Sequence, residues 1–165
     1  MRRLGKVIFP LAVVSFFLLI SSVKGELFSG TNVLDISNGD GFDFSSGKVI
    51  SDEDADLLTG LDGDGNPSFL PPTVIKDMGE MSMEEVREAP PKGDYSDKAK
   101  VEKGHTYCIV TRESHYVKFF VDEKPTEAMK LTIRWVYQSD GSRELNSRAG
   151  VITSTTWGKI KALFR

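Results

Sequence analysis

The sequence predicts an all-β protein: an antiparallel sheet or sandwich built on a C-terminal three-stranded meander, with a short C-terminal amphipathic helix. Three observations carry this. β-Branched and aromatic residues concentrate between Gly104 and Ser142, in runs bounded by turn residues. Within those runs, side chains can be sorted onto two faces by the two-residue period of a strand. Upstream, Phe42-Asp43-Phe44, Ser45-Ser46-Gly47 and Lys48-Val49-Ile50 form the pattern of a small hairpin.

The meander comprises strands at residues 106–111, 116–121 and 130–138. Residues 112–115 form a tight connection, and Ser139-Asp140-Gly141-Ser142 closes the last strand. Pairing Thr111 with Tyr116 sets Cys108 against Phe119 and Val110 against Val117, sharing one face with Val121. Tyr107, Ile109, Tyr116, Lys118 and Phe120 then share the other face. In the third strand Leu131, Ile133, Trp135 and Tyr137 face the core, and Thr132, Arg134, Val136 and Gln138 face outward. A slip of one residue would exchange faces.

Residues 1–25 have the layout of a secretory signal peptide. Arg2, Arg3 and Lys6 precede the apolar stretch 7–20, and Val23 and Gly25 stand where a signal peptidase reads small residues. Cleavage after Gly25 would place the domain outside the cytoplasm, with the membrane involved only during export. Without Arg2, Arg3, Lys6 and Lys24, 17 of the 21 basic residues remain against 24 acidic ones, a net charge of −7. That acidity argues against nucleic acid, whose phosphates require a basic footprint. The single cysteine excludes an intrachain disulfide, so stability must come from the core.

The rest of the chain is organised around the meander. Residues 26–40 form a polar lead-in with a short strand at 32–36. Residues 41–146 form one β domain, and residues 147–165 a linker and the short helix. Within residues 41–58, the hairpin at 42–50 is followed by an acidic turn at 52–56 that leads into a third short strand at 55–58. Asp62-Gly63-Asp64-Gly65-Asn66 has the oxygen spacing of a calcium loop, making Asp62, Asp64 and Asn66 the metal candidates. Pro67 and Thr73 occupy the positions where an EF-hand loop needs Gly and Glu, which favours an ordinary turn. Thr73-Val74-Ile75-Lys76 is a strand entering the sheet. Ser82 and Glu85 form a capping box, and Pro90-Pro91 ends any helical turn begun there. A charged connection over 92–103 leads into the meander. At the C-terminus Trp157, Ile160, Leu163 and Phe164 recur at helical spacing behind the caps Ser154-Thr155-Thr156.

Catalytic patterns are weak. His105 and His115 are the available imidazole bases, and neither neighbours a recognised nucleophile motif. Cys108 lies mid-strand, where an apolar setting makes a thiol inert. The expected role is therefore a non-enzymatic binding or structural module with an extracellular or cell-surface partner. Its binding surface would be the aromatics Tyr107, Tyr116 and Phe120, and no cofactor is required apart from calcium if the 62–66 loop takes one.

The segments GFDFSSGKV, SMEEVREAPPKGDY, GHTYCIVTRESHYVKFFV and LTIRWVYQSDGSREL resemble an uncharacterised class of small secreted bacterial β-domain proteins, over residues 41–145. More distantly the chain is similar to HmuY-type haem-binding surface proteins. That resemblance implies an all-β fold and raises a haem or metal carrier as an alternative function, with a histidine pair as iron ligands. A secreted hydrolase is a third class. On the Thr111–Tyr116 register, His105 lies opposite Asp122 and His115 at the far end of the hairpin. The separation is about 20 Å at ~3.3 Å per residue, too far for both to ligate one haem iron.

Overall fold

The computed structural model describes residues 25–51, 54–72, 74–123 and 129–146, with the backbone of Ile152–Thr153. The expected signal peptide and C-terminal helix lie outside the described residues, apart from Gly25 and that backbone. The strands are β1 (Leu27–Asp35), β2 (Gly41–Asp43), β3 (Lys48–Ile50), β4 (Leu57–Leu61), β5 (Pro67–Phe69), β6 (Val74–Asp77), β7 (Ala99–Lys100), β8 (Thr106–Val110), β9 (Tyr116–Glu123), β10 (Lys130–Gln138) and β11 (Ile152–Thr153). Two short 3-10 turns, Ile36–Asn38 and Lys92–Asp94, are the helical elements among the described residues. The all-β expectation therefore holds for the described chain.

Six strands form one sheet in the order β11-β1-β10-β9-β8-β6, and five form a second in the order β3-β2-β4-β5-β7. The sheets face each other. Phe42, Leu57 and Phe69 from the second sheet, with Phe44 from its β2–β3 turn, share one buried cluster with Tyr107, Ile109, Val117, Phe119, Ile133 and Trp135 from the first. Rings lock the two layers together. Phe69 meets Phe119 edge-on at 5.0 Å between centroids, and Phe42 and Phe44 lie 5.6 and 5.7 Å from Trp135. Edge-on and offset aromatic contacts at these distances add stability beyond the area they bury.

The meander is present with nearly the expected strand limits, but its first hairpin is shifted by one residue. Val110 pairs with Tyr116, Cys108 with Lys118 and Tyr107 with Phe119. The physical reason lies in the connection. Thr111 N–H donates to His115 O at 2.8 Å, so the loop has three residues, 112–114, and not four. Such loops close with a left-handed residue, and Ser114 takes that place at φ 65°. Glycine would have advertised the position; serine does not. The shift moves Tyr107 and Ile109 to the inner face with Val117, Phe119 and Val121. It moves Cys108 and Val110 to the outer face with Tyr116, Lys118 and Phe120. In β10 the expected alternation holds: Leu131, Ile133, Trp135 and Tyr137 belong to the inner cluster.

β1 departs from expectation. The short strand foreseen at 32–36 is nine residues long and pairs with β10 from Leu27↔Gln138 to Asp35↔Lys130. Between the buried Phe28 and Leu34 its middle is polar, because the inner face there needs little bulk. Gly30 lies opposite Trp135, and the indole covers it: a Cβ on Gly30 would lie 2.8 Å from Trp135 Cζ2. Asn32 Oδ1 accepts the indole N–H at 2.9 Å. The 41–58 hairpin is present as β2 and β3, and the strand expected at 55–58 begins at Leu57 as β4. β6 begins at Val74, within the strand expected at 73–76, and pairs with β8.

The outer face of β8 and β9 is covered by irregular chain. Val86 and Ala89, with Leu145, bury Cys108, Val110 and Tyr116. The capping box is made in both directions at the start of this cover. Ser82 N–H donates to Glu85 Oε2 at 2.7 Å, and Glu85 N–H donates to Ser82 Oγ at 3.3 Å.

Candidate functional site

The inner face carries a histidine at each end of the β8–β9 hairpin. His115 closes the end nearest the 112–114 loop. Its Nδ1 is hydrogen-bonded to Tyr137 Oη and lies 3.7 Å from Glu113 Oε2. Tyr137 Oη in turn donates to Glu113 Oε2 at 3.4 Å. Burial pushes the Tyr137 phenol upward, and the charges of Glu113, Asp56 and Asp43 add to the shift. Beneath this group Asp56, only 4% exposed, accepts Phe44 N–H at 3.1 Å and Arg112 N–H at 3.4 Å. Its carboxylate thus ties the β2–β3 turn to the β8–β9 loop, linking the two sheets at this rim.

Asp56 is electrostatically unusual. Burial pushes its carboxyl up to about 6, against the two N–H donors and with help from Asp43 and Glu113. Asp43 goes the other way: burial would raise it, but hydrogen bonds from Ser46 and Ser45 outweigh burial and lower it.

The raised value has a sign that can be measured. Between about pH 4 and 6 the folded chain keeps a proton on Asp56 that the unfolded chain has released. Asp56 therefore contributes most to stability below about pH 4, and that contribution falls as pH rises to about 6. The shift corresponds to up to about 3 kcal/mol, reduced by whatever water reaches the carboxyl. Urea unfolding of wild type and Asp56→Asn at pH 4, 5, 6 and 7 is expected to show the wild type losing about 2–3 kcal/mol relative to the variant across that range. A difference that stays flat or grows with pH would contradict the buried, repelled carboxylate.

His105 closes the opposite end of the same face. Its Nδ1 lies 3.0 Å from Asp77 Oδ1, and its backbone O accepts Val121 N–H at 3.1 Å. It therefore sits opposite Val121 and not Asp122, a consequence of the shifted register. The distance to His115 along the ladder is still about 20 Å at ~3.3 Å per residue. Each imidazole has its own partner at its own end.

The three aromatics expected to form a binding surface are not brought together. Tyr107 is fully buried in the inner core, stacked 5.2 Å from Phe119, with its hydroxyl donating to Lys100 O at 2.8 Å. Tyr116 is buried beneath the outer cover. Phe120 alone is partly exposed, with the Arg134 guanidinium 4.8 Å above its ring. Arg134 Nε also donates to Asp122 at 2.7 Å. The shifted register accounts for Tyr107, and the segment crossing the outer face accounts for Tyr116.

Asp62, Asp64 and Asn66 do converge, but on one another. They form the β4–β5 turn, where Asp62 Oδ1 accepts the backbone N–H groups of Asp64 and Asn66 at 3.0 and 2.8 Å. The hydrogen bond from the Asn66 N–H is the largest influence on the Asp62 carboxyl and holds it below its ordinary value. This is the local hydrogen bonding that Asp and Asn bring to turns. Among the described residues no group of three or more His, Cys, Asp or Glu side chains is placed to share a metal ion.

Besides the Asp56–Glu113–His115–Tyr137 rim, two features escaped sequence reasoning. One is Lys118, a buried lysine whose ammonium donates to Met83 O at 2.6 Å and Val86 O at 2.9 Å. Burial lowers its pKa. Its position in an alternating strand gave no sign that a non-regular segment would cross above it. The other is a shallow groove of about 370 Å³ between the edge strands β6 and β7, lined by Lys76, Asp77, Ser96, Lys98 and Lys100. Comparison with protein-family models, with curated proteins and with solved structures finds no match.

Proposed function

We propose that this protein is a secreted, non-enzymatic β-sandwich module that binds an extracellular or cell-surface partner, or serves a structural role there, through its exterior. One observation carries the reading: the space between the sheets is filled by interlocked rings, with Phe69, Tyr107 and Phe119 in mutual contact at 5.0–5.2 Å. A ligand then has the loops, the edges and the outer face to engage. On that face Phe120 and Arg134 are the accessible aromatic–cation pair, a combination suited to recognition. The layout of residues 1–25 supports export.

The haem-carrier alternative makes a different demand. It needs two axial ligands on one iron, and His105 and His115 lie at opposite ends of the hairpin, paired with Asp77 and Tyr137. Titrating haemin into the purified monomer tests both readings. The expected result is weak, non-stoichiometric absorbance change that is the same in His105→Ala and His115→Ala. A sharp bis-histidine spectrum at one equivalent, lost in both variants, would replace the binding-module reading with a haem carrier.

A further inference from the structure

Residues 78–90 cross the outer face of β8 and β9 without regular secondary structure, and the way they are attached is uneven. The leading end is clipped to Thr106: Met78 N–H donates to Thr106 O at 2.8 Å, and Thr106 N–H donates to Gly79 O at 3.0 Å. The trailing end is clipped to the 143–145 chain. Ala89 N–H donates to Arg143 O at 2.8 Å, Leu145 N–H to Arg87 O at 2.8 Å, and Arg143 Nε to Ala89 O at 2.7 Å. Between the clips, Thr106 Oγ1 donates to Met81 O, and the turn built by the Ser82–Glu85 capping box meets the sheet through two buried side chains, Met83 and Val86, and through the Lys118 ammonium.

We propose that residues 78–90 are a lid latched by Lys118, which opens as a unit while the sandwich stays folded and uncovers the strip carrying Cys108, Val110 and Tyr116. The latch is double-edged by its chemistry. Closed, the ammonium satisfies two carbonyl oxygens that would otherwise be buried without a donor. Open, it recovers the hydration it gave up, so a buried cation costs the closed state part of what its two hydrogen bonds contribute. Gly79, at φ 71°, and Pro90-Pro91 stand at the two ends of the segment, where backbone direction changes. The segment has no regular backbone ladder of its own and rests on a small apolar contact, chiefly Met83, Val86 and Ala89, plus a polar latch; a region held so locally can open below the global unfolding free energy.

The one cysteine of the chain reports on the lid. Cys108 is fully buried, and burial pushes its thiol up to about 12, so it reacts with a thiol reagent only when uncovered. The experiment follows labelling of Cys108 in the full native chain at increasing, sub-denaturing urea. The expected result is a labelling rate that depends only weakly on urea, because little surface opens with the lid, and that rises about tenfold or more in Lys118→Met. Glu85→Gln, which weakens the lid's own turn without touching the sheet, is expected to raise it several-fold. A wild-type rate with the full urea dependence of global unfolding would overturn the proposal. So would variant rates that only track changes in global stability. The wild-type measurement decides alone if Lys118→Met does not fold.

Discussion

Replacing Phe119 by alanine is expected to remove about 3–5 kcal/mol of stability, the usual range for a large aromatic deleted from a packed core. Phe119 is fully buried at the centre of β9. Its ring stacks on Tyr107 at 5.2 Å, meets Phe69 edge-on at 5.0 Å and lies 6.0 Å from Phe44. It therefore touches both sheets, and the cavity left by alanine would be lined by rings that cannot all move in. A double-mutant cycle sharpens the test. Phe119→Ala and Tyr107→Leu should couple by about 0.5–1.5 kcal/mol, because the two rings share the inner face. Phe119→Ala and Cys108→Ala should be additive to within about 0.5 kcal/mol, because those side chains lie on opposite faces. Urea unfolding of the three single and two double variants provides the numbers. Strong coupling to Cys108 with none to Tyr107 would reverse the face assignment.

Trp135→Ala should be comparably damaging, at about 3–5 kcal/mol. The indole spans from β10 to Phe42 and Phe44 in the facing sheet, and its N–H donates to Asn32. It also fills the space above Gly30, which lacks a side chain to do so. Gly30→Ala alone should cost about 1–3 kcal/mol through overpacking, since its methyl would press on a ring hemmed in by two phenylalanines. In a Trp135→Leu background the same Gly30→Ala change should cost much less. Thermal and urea unfolding of this cycle would show it. Equal cost of Gly30→Ala in both backgrounds would mean that the ring does not rest on Gly30.

The meander and the 41–58 hairpin were legible because their residues combine β-forming side chains with turn chemistry at the ends. The limits of β10 and the start of β9 follow from that directly, while β9 runs two residues past the expected Val121 to Glu123. Three things were not legible, each for a physical reason. The register of the first hairpin depends on whether its loop has three or four residues, and Ser114 adopts a left-handed conformation without being glycine. β1 hides among polar residues because Trp135, from the neighbouring strand, supplies the bulk on its inner side. The outer cover is invisible because residues 78–90 follow no strand or helix period, and the lysine that holds them lies 32 and 35 positions from its two acceptors. Of the candidate site residues, Phe120 keeps the exposed place expected of it in part, while Tyr107 and Tyr116 were misplaced by the register and by the cover. The Asp56–Glu113–His115–Tyr137 rim could not have been assembled beforehand, since it joins three separate parts of the chain.

The inside and outside of the molecule both rest on the β8–β9 register, and cross-strand Hα–Hα contacts measured by NMR on the isotopically labelled protein test it most directly. Thr111 with His115, and His105 with Val121, are joined by hydrogen bonds, so alternate pairs between them are the non-hydrogen-bonded ones whose Cα atoms approach most closely, at about 4.5 Å. Contacts are predicted between the Hα atoms of Cys108 and Lys118, and of Val110 and Tyr116. Contacts of Cys108 with Phe119, or of Val110 with Val117, would place Tyr107 on the outer face and contradict the filled aromatic interior on which the functional reading stands.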